Sequence, residues 1–486
     1  MPSTSATNVS LAGEHDLGKV NPEVRCQEKC HFSAIFVDFL QKGLINCINV
    51  TRLDGNMLLR FSAENHLSFR DKMEISMVAA KLKDFSEGLI ETPISGILVV
   101  PAALIYGPNA SGKSNVIGAL SVMKNLVVTS QFGGRPGSPL LQMPFAFEAS
   151  HLEAPTTFDA DFLVGGVRYN YGFAYTDESI EREWLVSYPN GRAQTLFTRE
   201  RQQFAFGRKL RGRNAVIADL TRKNSLFLSA AAQNDHNDLT PIYKFFADIV
   251  IIQSIAVEGA FVSIELEQID ERVINFLNNI GTGVVSYRRT EQESSEFSRE
   301  LGRNLIGFFQ KHFPSSDTGP DFSGLDRDKD VSIELGHRAV DGSVVYLSLD
   351  RESAGTRRML VILSKVFEAL DSGGLIIVDE LDASLHTQAC ELIFALFSSK
   401  EYNTAGAQML ATIHDTNILA SESIRRDQIW LCEKGLYGDS NISPLTDVRL
   451  RHTDDFEKGY LEGRFKALPF SGSVQSQIRY GKITSK

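Results

Sequence analysis

The chain has 486 residues, of which 43% are hydrophobic and 23% are charged, and its formal net charge is −10. These values indicate an ordinary globular protein with a sizeable core, and the acidic balance argues against broad, nonspecific affinity for nucleic acid. No apolar run approaches the ~20 residues that a membrane-spanning helix needs. The polar N-terminus lacks the apolar core of a signal peptide, so we expect a cytoplasmic protein.

The cysteines show no disulfide framework. They are Cys26, Cys30, Cys47, Cys390 and Cys432. An odd number without paired spacing agrees with a reducing compartment. Cys26, Cys30 and His31 look like part of a zinc site, but no second spaced pair supports it. We therefore predict incidental thiols.

The N-terminal stretch of the chain differs in pattern from the residues after it. Residues 1–56 show weak periodicity, whereas Met57–Phe69 alternates like a strand that enters a sheet. We expect 1–56 to be a dispensable extension that is translated from an upstream start codon.

A glycine-rich loop, Gly107–Ser114, has the spacing G-x-x-x-x-G-K-S. The apolar run Leu98–Tyr106 before it predicts a buried strand, and Ser114–Leu120 predicts the start of a helix. Backbone N–H groups of such a loop wrap a triphosphate, its lysine reaches the outer phosphates and its serine holds Mg²⁺. The predicted nucleotide-binding residues are Gly107, Pro108, Asn109, Ala110, Ser111, Gly112, Lys113, Ser114 and Asn115, with Ser114 also a metal ligand.

The middle of the chain mixes strand and helix patterns. Phe158–Leu185 alternates strongly and predicts antiparallel hairpins. Residues 239–313 are predicted to be mostly helical, and 317–330, rich in Asp and Gly, to be a loop. Strand character returns at Val331 and Val344. There is no internal repeat and no long heptad run.

A basic segment, Arg199–Lys223, stands out from the acidic chain, with Glu200 and Asp219 as its only acidic residues. One interpretation is a solvated hairpin edge that its charge keeps soluble. The other is a patch for nucleic acid or for an acidic partner. The sequence leaves both open.

A carboxylate pair, Asp379 and Glu380, comes directly after the apolar strand Leu375–Val378. In this arrangement the first carboxylate helps to hold Mg²⁺, usually through water, and the second orients or deprotonates the attacking water. We predict Asp379 as a metal ligand and Glu380 as the general base. The pair lies so far along the chain from Lys113 that a large insertion must separate the two halves of the site, which excludes a compact small GTPase.

A short segment before this strand carries the first family resemblance. It reads Ser353-Ala354-Gly355-Thr356 at the start of a predicted helix, and here the chain resembles the ABC-type ATPases, whose transporters carry Ser-Gly-Gly-Gln. The resemblance implies that this signature segment (Ser353–Thr356) contacts the γ-phosphate of ATP held by a second protomer. The plainer alternative is a capped helix start.

The same resemblance assigns three further features. His414 comes after an apolar strand, as the switch histidines of ABC-type ATPases do, and is implied to contact the γ-phosphate. Gln142 would be the lid glutamine that contacts Mg²⁺ and water. Leu381–His386 occupies the place of the dimer-contact loop, and its Leu-His ending resembles the RecF and OLD branch.

From Met57 to about Phe470 the chain resembles a bacterial family of ABC-type AAA ATPases associated with abortive infection and phage defence. RloA-like proteins and the ATPase subunits of the PARIS and Septu systems are similar. Besides the glycine-rich loop, the carboxylate pair and the signature segment, the supporting runs are Asn65–Arg70, Tyr169–Phe173, Glu183–Leu185, Asn224–Ser229 and Phe456–Phe465.

The resemblance implies an α/β fold: an ABC-type P-loop NTPase head, with a mixed sheet flanked by helices and an inserted antiparallel-β and helical subdomain. The expected divisions are the extension 1–56, an N-terminal ATPase lobe 57–235, a mainly helical insertion 236–330, a C-terminal ATPase lobe 331–470 and a tail 471–486.

The implied function is a regulatory ATPase that forms a head-to-tail homodimer, or a higher oligomer, around ATP and Mg²⁺. Lys113, Glu380 and His414 are its predicted catalytic residues. Its switch between closed and open dimers would control an effector protein, a nuclease or a toxin. Two alternatives stay open: a RecF- or SMC-like DNA-repair ATPase, supported only by the basic segment, and a transporter ATPase, disfavoured by the degenerate signature. Nucleic acid therefore stays open as a partner, and no membrane partner is expected.

Overall fold

The computed structural model of the protein describes residues 55–133, 137–253, 268–293, 329–421, 424–448 and 456–461. The predicted extension, apart from its last two residues, and the predicted tail lie outside the described residues, as do Cys26, Cys30 and Cys47. In the part of the chain that the structure describes, no helix is both long and apolar enough to cross a lipid bilayer.

Strands make up about half of the regular structure in the described residues. They are β1 (Met57–Glu64), β2 (Met73–Ser76), β3 (Ile90–Glu91), β4 (Leu98–Val99), β5 (Ala102–Tyr106), β6 (Thr156–Val164), β7 (Val167–Tyr175), β8 (Ile180–Tyr188), β9 (Gln194–Glu200), β10 (Gln203–Phe206), β11 (Val250–Ile252), β12 (Val284–Glu293), β13 (Lys329–Arg338), β14 (Val344–Ser348), β15 (Leu375–Val378), β16 (Gln408–Thr412), β17 (Ile429–Lys434) and β18 (Ser440–Pro444).

The α-helices are α1 (Lys113–Thr129), α2 (Ala149–Leu152), α3 (Asn214–Leu220), α4 (Phe227–Gln233), α5 (Thr240–Ala247), α6 (Glu271–Asn279), α7 (Ala354–Ser372), α8 (Thr387–Ser398) and α9 (Phe456–Leu461). Short 3-10 helices lie at Pro189–Gly191, Leu349–Arg351, Asn417–Ala420, Arg426–Gln428 and Leu445–Asp447.

The larger sheet is antiparallel, with the strand order β10-β9-β8-β7-β6-β1-β2. Strands β6, β7 and β8 are joined as hairpins, with Phe158 opposite Phe173 and Phe173 opposite Glu183. The hairpins predicted over Phe158–Leu185 are confirmed. The strand predicted from Met57 is confirmed as β1, but it ends at Glu64 because Asn65 and Leu67 take positive φ angles of 53° and 51°.

The second sheet has the order β11-β15-β16-β5-β17-β18. Its first five strands are parallel, and β18 pairs antiparallel with β17. The single strand predicted over Leu98–Tyr106 is divided into β4 and β5, because Pro101 has no N–H to donate to a ladder. Strand β5 is buried along its whole length, as expected for a strand inside a parallel sheet.

Helix α1 shares one hydrophobic core with both sheets. Its residues Ile117 and Met123 are 1% and 0% exposed, and they belong to the same buried cluster as Phe158 of the antiparallel sheet and Ile377 of the parallel sheet. Removal of this apolar surface from water stabilises the arrangement. This packing therefore fixes the position of α1, the helix that begins at the glycine-rich loop.

The prediction that residues 239–313 are mostly helical is wrong at two places in the described part. Helices α5 and α6 are present, but β11 joins the parallel sheet and β12 pairs with β13. Both strands contain runs of β-branched residues, which favour a pleated surface once partner strands are present. The segment 236–330 is therefore not mainly helical where it is described. Strand character after 330 is confirmed in the three-stranded sheet β12-β13-β14.

Candidate functional site

The sequence motifs meet at one edge of the parallel sheet. Strands β15, β16 and β5 are neighbours and run in the same direction. The carboxylate pair comes after β15, His414 comes just after β16, and the glycine-rich loop comes after β5. Ligands of open α/β sheets bind at this carboxyl edge, so strand order brings together residues that are distant in the sequence.

The glycine-rich loop needs glycine at both of its ends. A Cβ at Gly107 would overlap the carbonyl oxygen of Cys432, which belongs to the adjacent strand β17. Gly112 has a φ of 112° and precedes the first residue of α1. This φ lies in the left-handed region, which favours glycine. The backbone of the loop can therefore lie close against its neighbours and turn into the helix.

Lys113 is the first residue of α1 and is only 5% exposed. Its Nζ donates to the carbonyl oxygens of Gly107, at 2.7 Å, and Pro108, at 3.2 Å. Burial lowers the pKa of Lys113, and the nearby Asp379 and Glu380 oppose that shift. The ammonium group is thus held over the loop, at a helix N-terminus that favours anions.

Ser114 and Asp379 are the two predicted metal ligands, and the structure brings them together. Ser114 Oγ donates to Asp379 Oδ1 at 3.1 Å, and Thr412 Oγ1 on β16 donates to the same oxygen at 2.7 Å. Hydroxyl and carboxylate oxygens suit Mg²⁺, which takes few protein ligands and completes its shell with water and substrate phosphates. No described group of three or more His, Cys, Asp or Glu side chains could hold a metal by itself. Ser114 and Asp379 therefore fit a metal whose other ligands include phosphate oxygens.

Glu380 has a left-handed backbone, with a φ of 52°. Its N–H donates to Thr412 Oγ1 at 2.6 Å, so Thr412 contacts both members of the carboxylate pair. No sequence motif marks Thr412. Its only signal is its place at the end of the strand before His414, and its role depends on β16 lying next to β15.

His414 lies at the same edge with its side chain exposed. Its backbone N–H, and that of Asp415, donate to Asp382 Oδ2 at 2.8 Å and 2.6 Å. Asp382 belongs to the predicted dimer-contact loop, Leu381–His386. That loop therefore fixes the backbone of His414 within one chain, a role that the sequence did not reveal.

The signature segment begins α7. Ser353 caps the helix: its Oγ accepts a hydrogen bond from the N–H of Thr356 at 3.0 Å. Ser353 and Ala354 are exposed, and within the described residues no hydrogen bond joins them to the glycine-rich loop.

Asn115 and Gln142, both predicted to bind nucleotide, have different surroundings. Asn115 Nδ2 donates to Ser68 Oγ at 2.6 Å, beside the glycine-rich loop. Gln142 Nε2 donates to the carbonyl of Ala154 at 2.9 Å, and its Oε1 accepts from the N–H of Asp177 at 3.1 Å. Its amide therefore ties a loop to the antiparallel sheet and is not free to act as the predicted lid glutamine.

The basic segment is smaller as a surface than the sequence indicated. Arg199 is 1% exposed and pairs with the fully buried carboxylate of Glu183 at 3.4 Å. Arg222 donates to the carbonyl oxygens of Ser130 and Gln131 at 2.9 Å and 2.7 Å. These cations hold the fold together. The exposed remainder consists of Arg201, Arg208, Lys209, Arg211, Arg213 and Lys223.

The site consists of a strand, a glycine-rich loop and a helix with a buried lysine, and it lies beside a strand that ends in carboxylates. These features define a P-loop nucleotide-binding domain. Residues 102–420 match the model of the family described as "AAA domain, putative AbiEii toxin, Type IV TA system". Because the match covers more than half of the chain, the protein belongs to this family of AAA domains. A comparison with curated proteins finds no match. The family match begins at β5 and includes the carboxylate pair and His414.

Proposed function

We propose that the protein is an ATP-hydrolysing, ABC-type regulatory ATPase that dimerises around ATP and Mg²⁺ and controls an effector in anti-phage defence. The observation that carries the proposal is the convergence of Lys113, Ser114, Asp379, Glu380 and His414 on one edge of the parallel sheet. Membership of an AAA family linked by description to a toxin–antitoxin system supports it.

The glycine-rich loop binds the triphosphate in this proposal. Its backbone N–H groups and the N-terminus of α1 face the phosphates, and Lys113 exchanges the carbonyls of Gly107 and Pro108 for phosphate oxygens. Ser114 and Asp379 would hold Mg²⁺, which when bound neutralises charge on the phosphate oxygens. The remaining residues of the loop shape the cradle.

Hydrolysis needs a group that takes a proton from the attacking water. Glu380 has this role, since its backbone is fixed by Thr412 and its carboxylate comes directly after the metal-ligating Asp379. His414 contacts the γ-phosphate from the neighbouring strand. Its position depends on Asp382, which holds its backbone.

The site is completed by a second copy of the chain. Ser353 and Ala354 of the signature segment are exposed, and within the described residues they make no hydrogen bond to the glycine-rich loop of their own chain; this supports contact with ATP bound by a partner protomer. In this proposal β5, β11 and β15–β18 form an ABC-type head, and β6–β10 of the antiparallel sheet, with the helices that follow them, form the inserted subdomain. ATP closes the head-to-tail dimer and hydrolysis opens it, which gives a two-state switch.

The effector is a nuclease or a toxin that the switch restrains or activates. The family description supports a connection with a toxin, and the described residues outside the site contain no cluster that could hold a catalytic metal. The DNA-repair alternative loses support, because Arg199 and Arg222 of the basic segment are engaged in internal contacts.

The variant Glu380→Gln tests the proposal. ATP still binds, because the glycine-rich loop is intact, but water is not activated, so hydrolysis falls at least ~100-fold and ATP-bound dimers accumulate. Light scattering with ATP measures the dimer, and phosphate release measures turnover. Glu87→Gln is the matched control, because Glu87 is exposed and remote in sequence from the motifs; it should behave as wild type. Unchanged turnover in Glu380→Gln would reject the assigned base.

A further inference from the structure

Arg358 is a buried cation beneath the carboxylate pair. It lies in the second turn of α7 and is only 5% exposed. Its Nη2 donates to the carbonyl oxygens of Asp379, at 2.8 Å, and Glu380, at 2.7 Å. Burial lowers the pKa of Arg358, and the nearby Glu380 and Asp379 oppose that shift. Burial of a cation is costly unless it is paired and hydrogen-bonded; these two contacts engage Nη2, whereas Nε is buried without a hydrogen-bond partner among the described residues.

The peptide that Arg358 contacts has a strained conformation. Glu380 has a φ of 52° although it carries a side chain, and such residues persist only where the surroundings determine their geometry. Thr412 Oγ1 accepts the N–H of Glu380 at 2.6 Å, and the N–H of Leu381 donates to the carbonyl of Thr412 at 3.0 Å. Arg358 fixes the other side of the same turn. The direction of the Glu380 side chain therefore depends on α7 as well as on β16.

The helix that carries Arg358 also begins with the signature segment. Gly355, in its first turn, lies so close to the dimer-contact loop that a Cβ there would be 2.5 Å from the carbonyl oxygen of Ser384. Helix α7 thus touches the region after β15 at two points, one near its N-terminus and one a turn later. A displacement of the signature segment is expected to move Arg358 with it.

We infer that Arg358 is a positioning residue that couples the two ATP sites of the dimer. The inference rests on the proposed function, in which the signature segment contacts the partner's ATP while Glu380 serves the ATP of its own chain. ATP bound in one site then fixes α7 of the chain whose signature segment contacts it. Arg358 of that chain in turn holds Glu380, which serves the other site, in position. Two sites linked in this way show positive cooperativity, so hydrolysis rises with ATP concentration with a Hill coefficient above 1.

Two variants at this position separate positioning from folding. Arg358→Met keeps the length of the side chain but removes both hydrogen bonds and the charge. Arg358→Lys keeps the buried cation, yet its single ammonium lacks the planar fork of the guanidinium. Lys365→Met is the matched control, because Lys365 lies on the same helix, is partly exposed and pairs with the exposed Glu368, at 3.0 Å.

The experiment measures ATP binding by calorimetry and steady-state hydrolysis across ATP concentrations for each protein. Arg358→Met should bind ATP within about threefold of wild type, hydrolyse it at least ~10-fold more slowly and show a Hill coefficient near 1. Arg358→Lys should recover part of the rate, and Lys365→Met should match wild type. A merely structural role would lower binding, hydrolysis and thermal stability together, without this partial recovery.

The outcomes distinguish the inference from the proposed function. If wild type and Lys365→Met do not hydrolyse ATP, the proposed function fails. If they do, and Arg358→Met keeps the wild-type rate and Hill coefficient, only the inference is overturned. A wild-type Hill coefficient of 1 also overturns it. If Arg358→Met does not fold, Arg358→Lys decides: a reduced rate with a lower Hill coefficient supports the inference, and wild-type behaviour rejects it.

Discussion

Two helix N-termini of this protein look similar in sequence but have different surroundings. The glycine-rich loop leads into α1, where Lys113 is buried and Ser114 bonds to Asp379. The signature segment leads into α7, where Ser353 caps its own helix and is exposed. Both termini expose backbone N–H groups that favour an anion, but only at the first does a described hydrogen bond join a residue of the terminus to the side chain of Asp379.

The difference shows what each terminus can do alone. The first has the groups needed to hold a triphosphate and a metal within one chain. The second offers N–H groups and small side chains, and in the proposed dimer it adds to a site that another chain supplies. Substitutions at the two termini should therefore have different effects on ATP binding and on hydrolysis.

The largest effect is expected at the first terminus. Lys113→Ala removes the ammonium group that is held over the glycine-rich loop, and ATP affinity should fall at least ~100-fold, because a charge-assisted contact to the phosphates is lost. Calorimetry with ATP and Mg²⁺ measures the loss. Lys72→Ala, at an exposed lysine, should bind ATP as wild type does. Tight binding by Lys113→Ala would contradict the assignment of the loop.

A change at the second terminus should separate binding from hydrolysis. Ser353→Arg places a bulky cation where the helix would approach the partner's ATP, so the site that it would complete cannot form. Hydrolysis should fall at least ~100-fold while ATP affinity stays within about threefold of wild type. Calorimetry and phosphate release measure the two quantities. A parallel loss of both would show that the signature segment belongs to the site of its own chain.

A further effect, on stability and not on ATP binding, concerns the residues that pack near the first terminus. His66 is fully buried beside Phe158, and within the described residues its ring nitrogens have no hydrogen-bond partner. Burial lowers the pKa of His66 from 6.5 to about 4. The unfolded chain thus binds a proton at a higher pH than the folded one, and stability falls by about 3 kcal/mol as the pH drops from 6.5 to 4.

His66→Phe removes this titration and keeps an aromatic ring. Urea unfolding at about pH 8 and about pH 4 should show that the variant loses about 3 kcal/mol less than wild type between the two. Equal losses in the two proteins would mean that His66 does not control the acid sensitivity of this region.

The sequence predicted the parts of the site that depend on local spacing. The glycine-rich loop needs a fixed distance between its glycines and Lys113, and the carboxylate pair needs a buried strand before it, so both could be recognised without the fold. The hairpins of the antiparallel sheet were predicted for the same reason, because strand alternation is a local pattern.

The rest depends on strand order and could not be read from neighbours in the sequence. Thr412 and Asp382 support the site because β16 lies between β15 and β5. Gln142 had a plausible distance from Lys113, but that distance does not show where the chain passes, and its amide is engaged in the antiparallel sheet. Val250–Ile252 lay in a stretch predicted as helical, and pairing with β15 makes it a strand.

A mixture of two inactive variants tests the composite site most directly. Lys113→Ala has an intact signature segment and Ser353→Arg has an intact glycine-rich loop, so a mixed dimer has one complete site. Equal amounts should hydrolyse ATP clearly faster than either component alone but at no more than about a quarter of the wild-type rate, because random mixing makes half of the dimers mixed and each mixed dimer has one complete site. A mixture as inactive as its components, each of which still folds, would contradict a site shared between two chains.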